Sequence, residues 1–144
     1  MAYVTVDELK ARFGADEIEL LLDRDANGLP DNGTADAAIA DASAELDTML
    51  GGRYPIPLPA TQWLKSAVAD LARARLYDEK APDAVMERRK EVIARAREIG
   101  RGQGVLLGDD GTPVPERTSS VTGGGITVSA PKRVFDDQGL SGYV

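Results

Sequence analysis

The chain has 144 residues, with 17 Lys and Arg against 24 Asp and Glu, for a formal net charge of −7. It has no cysteine and no histidine, which excludes disulfides, thiol nucleophiles and every histidine-based catalytic triad, and with them cysteine- or histidine-ligated zinc. One Trp, two Phe and four Tyr cannot dominate a core. Ala, Leu, Val and Ile must build it, which favours closely packed helices in one domain with a tail.

The opening "TVDELKARFG" predicts a capped helix: Thr5 accepts from the first turn, Glu8 reaches back, and Gly14 ends the segment. Leu9 and Phe13 lie one turn apart on it. The start has no apolar leader segment, and no run approaches the roughly 20 apolar residues of a membrane span. The expectation is therefore a soluble protein made in the cytoplasm. "ADEIELLLD" predicts a second short helix, with Asp16 and Glu17 placed for its N-terminal dipole.

The stretch "DRDANGLPDNGTAD", residues 23–36, carries the spacing of a calcium-binding loop. Asp23, Asp25 and Asn27 take alternate positions, Gly28 supplies the turn, the Leu29 carbonyl and Asp31 follow. Thr34 stands where a bidentate Glu normally closes the shell, so Asp36 is the candidate closing carboxylate. One structural Ca²⁺ on these residues is one reading; a hydrated Asx-rich turn without an ion is the other. Neither favours a sensor, which opens a Met-rich groove, because the chain has only three Met.

From Thr34 the helical period is clear, with Ile39, Ala42, Leu46 and Met49 recurring up to Gly51. "RYPIPLPATQ" has three prolines within five residues and reads as a stiff extended connector. The next helix spans about 60–78 through Leu64, Val68, Leu71 and Tyr77. After Pro82 a last helix runs to about Gly100 through Val85, Met86, Val92, Ile93, Ala96 and Ile99. In "MERRKEVIARAREIGR" the basic residues alternate with Glu, which reads as a solvated helix face and argues against sequence-specific DNA binding.

After Arg101 the chain turns rich in Gly, Ser, Thr and Pro, and "GGGITVSAPKRVF" alternates as a strand does. The fold expected is mainly α: a small antiparallel helical bundle over 1–101, then an extended C-terminal tail over 102–144 with a short β segment. Ile126, Val128, Val134, Phe135, Leu140 and Tyr143 are too few for a core of their own. They are the candidate interface for another subunit or partner; packing back on the same bundle and disorder are the alternatives.

The order "YVTVDELKARFG", "LLDRDANGLPD", "IADASAELDTMLGGRYPIPL", "LKSAVADLARARLYD", "VSAPKRVF" and "LSGY" resembles the phage Mu-like head–tail adaptor family. The likeness covers nearly the whole chain, most specifically at "ASAELDTMLGGRYPIPL" and "LARARLYD". It implies a non-enzymatic virion protein of a tailed phage or prophage, located in the neck. Such adaptors form a ring, dodecameric by the resemblance, between the portal protein and the next neck or tail-completion protein. The resemblance further implies that DNA passes through the ring without specific binding, and that no membrane is involved. Against the Asp-Gly-Asp-Gly loop associated with the family, Ala26 and Asn27 are departures. Opposite faces for ring contacts are expected from the acidic helix 34–50 and the basic stretch 87–101. The alternative function is a calcium-dependent protein-interaction module that uses loop 23–36.

Overall fold

The computed structural model describes residues 2–77 and 80–118. Five helices follow in order: α1 Val6–Phe13, α2 Ala15–Leu22, α3 Thr34–Leu50, α4 Gln62–Tyr77 and α5 Asp83–Gly100. The fold is mainly α, as the apolar period predicts, and no strand is formed among the described residues. The capping box forms as expected: the Glu8 amide donates to the Thr5 hydroxyl, and the Thr5 amide donates to the Glu8 carboxylate at 2.8 Å.

α4 is the central helix. Most of its circumference is buried, through Leu64, Ala67, Val68, Ala69, Leu71, Ala72, Ala74 and Leu76, and an apolar face this wide has to be covered by several helices. α3 and α5 flank it, while α2 packs on another side. The alanines permit this closeness, and Leu9, Ile18, Ile39, Leu46, Leu50 and Leu64 fill the remaining space. Each such leucine or isoleucine contributes about 1.5–3 kcal/mol by leaving water. α3 and α5 meet at their C-terminal ends so tightly that a Cβ on Gly100 would collide with the Met49 carbonyl.

Polar groups fix the register of the layers. On α2, Glu17 accepts from Arg73 Nε and from the Tyr77 hydroxyl, both at 2.7 Å and both on α4. Burial alone would raise the Glu17 carboxyl, but these two hydrogen bonds outweigh it and hold the group below the usual range. The Arg73 guanidinium also lies 4.5 Å from the centre of the Phe13 ring, tying α1 to the same point. Buried Asp70 of α4 accepts from Arg88 of α5 at 3.0 Å.

The expectation that the acidic α3 face and the basic α5 stretch serve neighbouring subunits needs correction at its centre. Glu45 of α3 pairs within the chain, with Arg75 at 2.8 Å and Arg89 at 3.9 Å. Asp47 likewise accepts from the Tyr3 hydroxyl at 2.6 Å. The helices are close enough that opposite charges on them satisfy each other. The solvated-face reading of 87–101 holds for the i,i+3 pairs Glu87–Lys90 and Arg95–Glu98, whereas Arg88 and Arg89 reach across to other helices.

Two tyrosines connect the irregular segments to the bundle. Tyr3 donates to Asp47 and accepts from the Leu58 amide at 3.0 Å, joining the N-terminus, the proline connector and α3. Tyr54, fully buried, accepts from the Leu106 amide at 3.0 Å.

Candidate interaction surfaces

Loop 23–33 is the first surface. Asp23 accepts from the amides of Asn27 and Gly28 at 2.9 and 2.8 Å, one with each carboxylate oxygen. Asp25 turns both of its oxygens toward Asn27, and the Asn27 side-chain oxygen accepts from the Leu29 amide. Asp31 accepts from the Arg24 amide at 3.1 Å, and its own amide donates to the Leu22 carbonyl. The loop is thus knit by consecutive Asx turns. Its carboxylates point at its own backbone amides.

Of the six candidate calcium ligands, Asp23, Asp25, Asn27 and Asp31 share this hydrogen-bonded loop. Leu29 is 68% exposed, and Asp36 sits exposed in the first turn of α3, hydrogen-bonded to none of them. Among the described residues no three acidic side chains are grouped so as to hold a metal ion. In this arrangement the oxygens of Asp23 and Asp25 are turned to donors of the loop itself, and Asp36 stands apart from them. Ala26 has φ +55, a left-handed conformation in which glycine is at ease.

Residues 102–118 form the second surface, a strap across the bundle end. The segment bends through a small hairpin in which Leu107 bridges Pro113 and the Val114 amide donates to the Leu106 carbonyl. Leu106 is buried in the core. Arg53 Nη1 donates to the carbonyls of Ile99, in the last turn of α5, and Gly104, just beyond it, and Nη2 pairs with Glu116 at 2.6 Å. That pair holds the guanidinium more firmly protonated and the Glu116 carboxyl below its usual range. Asp109 accepts from the Gln62 amide at the start of α4.

The segment that opens the sequence-defined tail is accordingly fastened to the bundle as far as Arg117, whose amide donates to the Arg53 carbonyl at 2.7 Å. The candidate interface residues Ile126, Val128, Val134, Phe135, Leu140 and Tyr143, and the short β segment, lie outside the described residues. Sequence reasoning missed Arg53, Tyr54 and Leu106 as the parts that hold the strap. Their only sequence signal is an apolar "VLL" soon after a helix stop.

The third surface is an open cleft of about 500 Å³ between α3 and α5, floored by α4 and bordered by Arg24, Arg75 and Arg89, with Asp41 also in its lining.

Bundle and strap together coincide with the region matched by a known family. Residues 3–122 match the family described as Bacteriophage Mu, Gp36. The chain belongs to this family. It is also similar to Gene product J of Escherichia phage Mu, with 41% identity over 59 residues, which is 40% of this chain and 42% of that protein. The matched stretch therefore spans well under half of the phage relative's length. Among the described residues no helix is long and apolar enough to cross a membrane.

Proposed function

We propose that this Gp36-family chain is a structural virion protein of a tailed phage or prophage, forming an adaptor ring between the portal and the rest of the neck or tail. The observation that carries the reading is the family match over residues 3–122. A rigid bundle closed by its own strap gives a subunit of fixed thickness, which suits a ring wall. A closed ring needs two different complementary faces on each subunit, and residues 126–143 are assigned to cross to a neighbour or to the portal. In this reading the chain has no catalytic step, twelve copies surround the DNA channel, and the net charge of −7 discourages phosphate from adhering to the wall.

Deleting the gene from a phage or prophage that carries it tests the reading. Filled heads and free tails should accumulate unjoined, and particles should regain tails when the full chain is supplied in trans. Tailed, infectious particles lacking the chain would overturn it. A chain ending at Gly124 should keep the helical signal and melting transition of the full chain yet fail to restore joining. Restoration by that truncated chain would remove residues 126–143 from the interface.

A further inference from the structure

The cleft between α3 and α5 gathers three arginines against one lining carboxylate, Asp41, in an acidic protein. Eight basic side chains of the bundle and strap have a carboxylate within 3.2 Å: Lys10, Arg53, Lys65, Arg73, Arg75, Arg88, Lys90 and Arg95. Several exposed basic side chains, Arg97, Arg101 and Arg117 among them, have none within 4 Å among the described residues; the cleft differs in bringing three arginines to one recess. Arg24 has no carboxylate within 4 Å among the described residues, and the nearest one to Arg89 is Glu45 at 3.9 Å. Arg75 spends Nη2 on Glu45 and stands 3.8 Å from Asp41, while its Nε is buried with no hydrogen-bond partner.

Three guanidiniums carry five N–H donors each. Among the described residues a single hydrogen bond, Arg75 to Glu45, uses any of these side-chain donors. A buried donor left unmatched costs free energy that a partner's acceptor would recover. The cleft floor is apolar, with Ala38, Ala74 and Met86, and a recess of about 500 Å³ admits a side chain or an extended segment.

We infer that this cleft receives a carboxylate-bearing segment of a protein neighbour, with Arg24 and Arg89 gripping acidic side chains from the two rims and Arg75 from the floor. Arginine suits this role because its planar fork matches a carboxylate with two parallel hydrogen bonds. Duplex DNA is the poorer occupant: its backbone is too broad to enter a recess between helices, and the chain as a whole repels it. The basic shelf around Arg53, Arg101 and Arg117 differs because Arg53 is already bonded to Ile99, Gly104 and Glu116, and no guanidinium donor there is buried without a partner among the described residues. It therefore serves as the matched control. The inference does not depend on ring formation.

The test uses the full chain and a fluorescein-labelled hexaglutamate peptide, followed by fluorescence anisotropy at low ionic strength. The double variant Arg24→Glu, Arg89→Glu should weaken binding about tenfold or more, and added salt should weaken the wild type. The control Arg101→Glu, Arg117→Glu changes the net charge equally and should leave binding near wild type. Should the Glu variant lose its helical signal, Arg24→Gln with Arg89→Gln removes the same charges without adding repulsion. Wild-type self-association in sedimentation that the peptide and the cleft variant both abolish would support the inference and assign the acidic segment to a second copy. No peptide binding, equal loss in the control, or tighter binding of a duplex oligonucleotide at the same arginines would overturn it.

Discussion

Loop 23–33 and strap 102–118 are both rich in Gly and Asp and poor in regular structure, yet opposite means hold them. The loop is closed by its own side chains: Asp23, Asp25 and Asn27 accept from amides two to five residues away. The strap is closed mainly by distant ones, with Arg53, Tyr54 and Gln62 reaching it across 47 to 63 residues of sequence. Local closure costs little loop entropy and shapes a surface turn. Distant closure welds the segment into the cooperative unit that contains the core. Substitutions in the strap should therefore unfold the protein, and those in the loop should change it slightly.

The largest effect is expected at Leu106. Its truncation to Ala opens a cavity where the strap meets the core and should cost about 2–5 kcal/mol, read as a lower urea midpoint with unchanged slope. If the midpoint did not move, the strap would belong with the loop and the contrast would fail.

Next comes Tyr3, which performs for the N-terminus what Tyr54 performs for the strap. Tyr3→Phe leaves the Leu58 amide without its acceptor and Asp47 without its donor, a loss of about 1–3 kcal/mol. Burial first, and the hydrogen bond to Asp47 second, push the Tyr3 hydroxyl from 10.0 up to about 12. The folded state thus keeps a proton that the unfolded chain gives up. This contribution is complete below pH 10.0 and disappears as pH rises toward about 12. Chemical denaturation across that window should show a steeper loss for the wild type than for Tyr3→Phe. Parallel curves would mean that the hydroxyl is not shielded.

The same division explains what could be read from the residues in order. The capping box, the helix stops at Gly14 and Gly51 and the apolar periods of α3, α4 and α5 are local signals, and all appear in the fold. The acidic loop was legible as an Asx-rich turn for the same reason, whereas its ligand reading required side chains to converge on one point, which spacing alone does not dictate. Arg53 donating to the last turn of α5, Tyr3 reaching Leu58 and Glu45 shared by Arg75 and Arg89 depend on packing between segments 30 or more residues apart. No local pattern announces them. The cleft was hidden by the same fact, because its arginines come from a loop and two different helices.

A smaller effect is expected at Asp23. Asp23→Ala removes the acceptor for two amides and should cost about 0.5–2 kcal/mol, the scale of a lost helix cap. With the carboxylates already turned to the backbone, chelator and added calcium should leave the wild-type melting temperature in place. A calcium-dependent rise that Asp23→Ala abolishes would show the loop re-forming around an ion, and the loop would then be closed by a ligand instead of by itself.

The smallest effect sharpens the contrast most. Ala26 holds φ +55 within the self-closed loop, where its Cβ crowds the backbone and glycine would not. Ala26→Gly relieves that crowding but adds freedom to the unfolded chain, two terms of about 1 kcal/mol each and opposite sign. The net shift should be about 0.5 kcal/mol or less, detectable in a thermal melt and without effect on the strap. Amide exchange can separate the regions: Ala26→Gly should alter protection at Asn27 and Gly28 and leave Leu106 and Val114 unchanged. If protection at Leu106 fell as well, loop and strap would be one cooperative unit, and local closure would not have kept the loop separate from the core.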